Sequence, residues 1–410
     1  MSNVSSSSTT SLDAESVNKE TSVVGFRRHL NSVGRLLLQQ WFLVALGILI
    51  AISSQVQVPV SQQAIKETVV TYLCVSVIFF ITGCTLPTRV LLDNYSRWKL
   101  HLFVQLQCFL MTSAIAFGIV SATASNPKFM NPAVLVGILF TGCVPTTISS
   151  NVVMTKQANG NTALTTVQST IGNFLGPFIT PLLVDLYTSR GTWYTTFLPS
   201  QRGGYNEIYQ RVFKQLGLSI FLPMFIGQLV QNASPKLTAK IFSNPKCPVQ
   251  KLSSIALLII IWQTYDQAFS TGALTSLPAS NTIFLVFISI AYFLLWLVIA
   301  FFSSRVLDMA REDTVSVCYC VPAKTPAMGV PLVRVLFLGL SPSEQSLIQV
   351  PMVIFQGLQI AGGSLLIPAF KAWVEGGKLS AEKGDKEAVS MEGTPRDGEE
   401  EGPNQLEGTF

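Results

Sequence analysis

Charge is what this sequence has least of. Lys, Arg, Asp and Glu make up 12% of 410 residues, against roughly 25% in soluble domains, so a soluble composition is excluded. Histidine is nearly absent: His29 and His101 stand far apart. That removes His-rich metal clusters and a Ser-His-Asp hydrolase. Seven cysteines are present, but Cys74, Cys84, Cys108, Cys143, Cys318 and Cys320 sit inside apolar blocks and only Cys247 in a clear loop. An odd number so placed implies no disulfide framework. There is no basic helix with interleaved aromatics for nucleic acid, and no nucleophile–base pair presents itself. The chain therefore reads as neither a nucleic-acid binder nor an enzyme.

What is there is apolar. Hydrophobic residues make up 49% of the chain and mean hydropathy is +0.46. They gather in ten blocks, at about 36–54, 68–86, 100–122, 132–157, 162–187, 208–230, 251–270, 282–303, 314–338 and 346–370. Such lengths suit a helix crossing hydrocarbon. Lipid cannot satisfy an open backbone, and the alternation of a barrel is missing. The expected fold is all-α and integral to the membrane, with ten transmembrane helices.

The two ends read differently. Residues 1–30 open with a Ser/Thr run from Ser5 to Ser11, carry Asp13, Glu15 and Glu20, and lack the layout of a cleaved signal peptide; they are expected to be disordered. Residues 375–410 hold ten acids and four bases, so this tail carries −6 and the remainder +11. It has too little apolar surface to offset its ordering entropy, is expected to be disordered, and contains no EF-hand loop. Between them lies a body at 31–374, divided into halves at 31–190 and 205–374.

Basic residues near the block ends orient this body. With the N-terminus inside, thirteen fall on the inner side, among them Lys236, Lys240, Lys246 and Lys251, and seven on the outer: Lys66, Lys128, Arg190, Arg202, Arg211, Lys214 and Arg334. Both termini are thus expected in the cytosol. The sequons at Asn3, Asn94 and Asn232 fall on that inner side. Five spans per half, an odd number, forces the halves to be inverted repeats. The fourth block contains Cys143-Val144-Pro145-Thr146-Thr147 and the ninth Cys320-Val321-Pro322-Ala323-Lys324-Thr325-Pro326. Proline removes a backbone hydrogen bond, and freed carbonyls inside a membrane are tolerated where they line a cavity or meet protein. A structural kink explains one such proline; paired interruptions in corresponding spans point to a transporter's central site.

Gly142-Cys143-Val144-Pro145, Ser150-Asn151-Val152, Gly160-Asn161-Thr162-Ala163-Leu164 and the stretch Pro177 to Pro181 resemble the bile acid:sodium symporter superfamily across the ten-helix body. Val144 to Ser150, Thr155-Lys156, Gly160-Asn161, and Lys324 followed by Gly329-Val330-Pro331-Leu332 resemble the branch containing solute carrier family 10 member seven and the fungal regulators of calcium homeostasis. The resemblance implies a panel domain (spans 1, 2, 6 and 7) moving against a core (spans 3–5 and 8–10), with the broken fourth and ninth spans crossing at mid-membrane. It places a sodium ion at Ser150, Asn151, Thr165 and Ser169, whose oxygens are hard ligands; the bland reading is hydrogen bonding between helices. It places solute at the crossover, at Pro145, Thr146, Thr147, Pro322, Lys324, Thr325 and Pro326.

One departure stands out. Symporters of this superfamily carry a Glu-x-Gly-x-Gln motif at the ninth-span break, yet from Thr314 to Ser343 this chain has no acidic residue. Lys324 stands there instead. Three readings remain: it snorkels to an interface, it occupies the space of a lost sodium, or it binds an anionic solute. Asp266, an acid inside the seventh block, is a further candidate for the solute path, for carrying a proton or for pairing with Lys324. Gly172 with Gly176, and Gly362 with Gly363, read as close-packing positions. Cys318 and Cys320 lack further metal partners.

The expected function is sodium-linked transport of a small organic anion by alternating access, with a role, implied by the resemblance alone, in restraining calcium influx. The alternative is a non-transporting regulator or ion sensor acting on a calcium channel. No cofactor is expected apart from Na⁺. The expected partners are the lipid bilayer, an anionic solute, and a calcium channel or other membrane protein. The plasma membrane is the expected location, with the Golgi or another endomembrane as the alternative.

Overall fold

The computed structural model describes residues 41–85, 97–199, 210–211, 213–242 and 249–392. The readings made for residues 1–30, for Asn94 and Arg202, and for the tail beyond Glu392 lie outside the described residues. Within these limits each of the ten apolar blocks is helical. In chain order, α1 is Trp41–Gln55. α2 comprises Val60–Val69, a π-turn Val70–Cys74 and Val75–Thr85. α3 comprises Trp98–Leu106, a π-turn Gln107–Met111 and Thr112–Thr123. α4 is Pro132–Cys143, α5 Ser149–Gln157 and α6 Thr162–Thr188. α7 joins a π-turn Gly217–Phe221 to Leu222–Ala233, and α8 is Pro235–Phe242. Then follow α9 Val249–Ser270, α10 Ala279–Val306, α11 Arg311–Cys320, α12 Pro326–Leu336 and α13 Pro342–Glu392.

Local chemistry starts several of these. Asn131 caps α4, its side chain accepting from Ala133 N at 2.9 Å, and Pro132 opens the helix without a donor to waste. Asn161 caps α6 in the same way through Leu164 N, 3.0 Å.

Among the described residues five helices are long and apolar enough to cross a membrane: Ser61–Thr85, Trp98–Thr123, Phe213–Ala233, Ala279–Val306 and Pro342–Gly377. Three apolar helices are shorter: Trp41–Gln55, Pro132–Cys143 and Pro326–Leu336. Two of those three are halves of blocks that proline has divided. The long α6 and α9 are less apolar because they carry polar side chains on buried faces, including Gln168, Asn173, Gln263 and Thr264.

Packing sorts the helices into two groups. α2 lies along α7, and α9 packs on α1 and α2. The α2–α7 crossing is backbone on backbone: a Cβ on Gly227 would lie 2.9 Å from Cys84 N and 3.0 Å from Gly83 Cα. In the second group α4 packs on α3 and α13, α10 on α11 and α13, and α6 on α5 and α11. α13 continues without interruption past Glu375 as far as Glu392. Its last turns are rich in Lys, Glu and Ala, good helix formers that need no core.

Candidate functional site

Both interruptions have the same local cause. Val144 and Thr325 each precede a proline and are extended (φ −79°, ψ 155° and φ −108°, ψ 117°), as the proline ring requires. α4 therefore stops at Cys143 and the chain restarts as α5 at Ser149; α11 stops at Cys320 and restarts as α12 with Pro326 in its first turn. The two gaps meet. Thr325 N donates to Pro145 O at 3.0 Å, and α6 backs both, since a Cβ on Gly176 would lie 2.8 Å from Pro145 Cγ and 2.5 Å from Met328 Sδ.

Lys324 lies in this junction and is fully buried, which corrects the snorkelling reading. Its Nζ donates to four neutral oxygens: Cys108 O at 2.6 Å, Thr112 Oγ1 at 2.8 Å, Val144 O at 3.0 Å and Gly142 O at 3.2 Å. Three protons serve four acceptors, so one is shared. Gly142 and Val144 are carbonyls at the C-terminal end of α4, where partial negative charge accumulates. Cys108 belongs to the π-turn of α3. Trp296 supplies an aromatic face, its ring centroid 5.3 Å from Nζ. The Lys324 backbone is held as firmly, its N–H donating to Gln359 Oε1 at 2.7 Å and its carbonyl accepting from Gln359 Nε2 at 2.9 Å.

Asp266 is not brought to this junction. It accepts from Lys66, Gln63 and Val58 N instead, which corrects its pairing with Lys324. The neighbouring Thr264 bonds Gln349 on α13, ten residues, or about 15 Å of helix, from the Gln359 that holds Lys324. The signal for its true partner was Lys66 itself, which the sequence offered only as an outer-side basic residue.

Beside the junction lies a cluster of neutral oxygens. Asn151 Nδ2 donates to Thr146 Oγ1 and Thr147 O, at 2.8 and 2.9 Å, and Asn173 Nδ2 to Thr146 O at 2.8 Å. Thr165 Oγ1 donates to Thr155 Oγ1 at 3.0 Å, and Ser150 Oγ to Thr147 Oγ1 at 3.4 Å. Asn151 Oδ1, Ser169 Oγ and Gln105 Oε1 are buried with no hydrogen-bond partner. A Cβ on Gly172 would lie 3.2 Å from Gln105 Oε1 and 3.4 Å from Thr146 Cγ2, so Gln105 reaches the same cluster. Sequence reasoning missed it, although glutamine inside an apolar block was a readable signal.

A cavity of about 410 Å³ separates the two helix groups; Phe79, Thr82 and Leu257 line one wall and Thr147, Ser150, Asn173 and Thr325 the other. Its lining is exposed at Gln157 and Lys251, with Thr85 beside them, so its mouth lies where α2 ends, α5 ends and α9 begins. At its closed end α5 and α12 begin with no side-chain cap on either first turn. Two helix N-termini without a side-chain cap thus lie beside one space, a setting suited to negative charge.

Residues 40–372 match the model of the SBF-like CPA transporter family. The chain belongs to that family. It is 38% identical to "Solute carrier RCH1" of Candida albicans, over 82% of this chain and 90% of that one. Identity is 31% to "Solute carrier RCH1" of Saccharomyces cerevisiae, over 84% and 86%. It is also 31% to "Sodium/bile acid cotransporter 7" of Rattus norvegicus, over 85% and 96%. These SBF-like relatives are named as carriers, not enzymes, and the chain is an integral membrane protein of a transporter family, not an enzyme.

Proposed function

We propose that the chain is a secondary carrier that moves a small organic anion coupled to sodium, by alternating exposure of the junction to the two faces of the membrane. In this reading all ten helical blocks cross the membrane as two inverted five-helix repeats. α1, α2, α7 and α9 form the panel, the remaining spans form the core, and both termini lie in the cytosol. The observation that carries it is the meeting of two proline-broken helices at the closed end of a cavity between panel and core. The anion would lie against the uncapped starts of α5 and α12. Sodium would be held by Asn151 Oδ1 and Ser169 Oγ with Ser150 and Thr165, since two of these oxygens are buried without a partner and all four are hard donors. Lys324, already saturated by carbonyls, holds the two breaks together as a fixed cation and is not the anion ligand.

Sodium-gradient-driven uptake of organic anions into liposomes tests the reading, with thermal stability in NaCl against choline chloride as the second readout. Wild type is expected to be stabilised by sodium. Ser169→Ala, which removes an unpartnered oxygen, is expected to weaken that shift without lowering stability in choline. Sodium stabilisation without uptake of any anion would favour the sensor alternative; neither signal in folded protein would remove the carrier. We further place the protein in the plasma membrane, restraining calcium influx through the ion and anion balance it sets. The support is the resemblance to fungal regulators of calcium homeostasis, and deletion with measurement of cytosolic calcium is the check.

A further inference from the structure

At the end of the molecule away from the cavity mouth, four charged side chains pack together. Lys66 of α2 pairs with Asp266 of α9, and Arg334 of α12 pairs with Glu67 of α2. Gln267 of α9 ties the pairs, accepting from Arg334 Nη2 at 3.3 Å and donating to Glu67 Oε2 at 3.5 Å. The Asp266 side chain is fully buried, and those of Lys66 and Arg334 are 9% exposed. Three of these charges stand on one helix group. Arg334 alone stands on the other, so its ion pair crosses from core to panel where the cavity does not reach.

Unsatisfied polar groups surround these pairs. Arg334 Nε, Gln63 Oε1, Gln263 Oε1 and Gln356 Nε2 are buried with no hydrogen-bond partner. They lie on α12, on α2, on α9 and on α13. Each carries the desolvation penalty of an unsatisfied group, and apolar side chains would serve a fixed contact better. Gln349, Gln356 and Gln359 form a polar succession along α13, and its far end is the glutamine bonded to the Lys324 backbone. Such polar lining is explained if water reaches it in another arrangement of the same helices.

We propose that Arg334, Glu67 and Gln267 form a latch that closes the outer path to the junction while the cavity is open on the other side. Release of the latch opens a second, glutamine-lined entrance between α9, α12 and α13. The inference rests on the carrier reading for the motion of panel against core, but its test needs no cargo. Gln263→Cys places a thiol on the closed path, and the full chain is kept in sealed vesicles with the native cysteines as background. A membrane-impermeant thiol reagent added at the face opposite the C-terminal tail is expected to react slowly. With Arg334→Gln or Glu67→Gln the rate is expected to rise by about tenfold or more, as when a two-state equilibrium loses one buried ion pair. The exchanged pair Glu67→Arg with Arg334→Glu is expected to be slow again. Equal rates in all variants, or fast labelling in the exchanged pair, overturn the latch. If Arg334→Gln fails to elute as folded protein, Glu67→Gln, whose side chain is 27% exposed, carries the comparison. A chain that takes up no solute but shows this pattern separates the fate of the latch from that of the carrier.

Discussion

Lys324 is a cation without a countercharge. Its ammonium is held by oxygen dipoles from α3 and α4 and by the face of Trp296, an arrangement that offsets desolvation only while all partners stay in place. Replacement by Met leaves Cys108 O and Gly142 O sharing the Thr112 hydroxyl proton and takes the donor from Val144 O, an unsatisfied buried group costing about 1–3 kcal/mol. Relief of the buried charge offsets part of that. Lys324→Met is therefore expected to fold with a clearly lowered thermal midpoint, and Lys324→Glu, which turns a carboxylate on three carbonyls, to yield no monodisperse protein. Thermal unfolding with size-exclusion chromatography checks both; a Met variant as stable as wild type would mean that the ammonium binds nothing together. At this scale the sequence made the lone cation legible, together with the absence of acids from Thr314 to Ser343. It could not show the partners, because three of the four are backbone carbonyls, and a carbonyl freed by geometry has no residue type to announce it.

The two broken helices were legible for the opposite reason: proline states its own conformational demand. The extended Val144 and Thr325 follow from Pro145 and Pro326 alone. The π-turns had no such mark, and neither did the closest helix crossing, because Gly83 and Gly227 lie on separate helices and make no spacing motif. That crossing is the element-scale prediction. A side chain at Gly227 would strike Phe80 O, Cys84 N and Gly83 Cα, all backbone, which cannot turn aside as a methionine would. Gly227→Val is expected to cost about 3 kcal/mol or more by forcing α2 and α7 apart. Gly118, with nothing within 4 Å of its Cβ position, is the control, and Gly118→Ala is expected to stabilise by up to about 1 kcal/mol through helix propensity. Thermal unfolding in detergent orders the three proteins.

For the molecule as a whole, composition answers only whether the segment beyond Glu375 can build a core, while α13 runs on to Glu392. The same helix nevertheless fixes which way the cavity faces. Glu375 accepts from Asn159 in the α5–α6 turn at 3.0 Å, and Arg311 donates to Trp373 O at 2.7 Å, so the C-terminal part of α13 stands beside the end of α5. Gln157, Thr85 and Lys251 at the cavity mouth belong to that same end, whereas the Lys66–Asp266 and Arg334–Glu67 pairs lie at the other. A thiol at Ser254, on the cavity wall, should therefore be reached by an impermeant reagent from the face that carries the C-terminal tail and shielded from the opposite face. A bound anion at the starts of α5 and α12 should slow that reaction by filling the space between panel and core. Labelling of Ser254→Cys from the opposite face at the same rate would place the mouth wrongly. Labelling from the tail face that no tested anion slows, in protein that takes those anions up, would place the solute elsewhere than between the two helix groups.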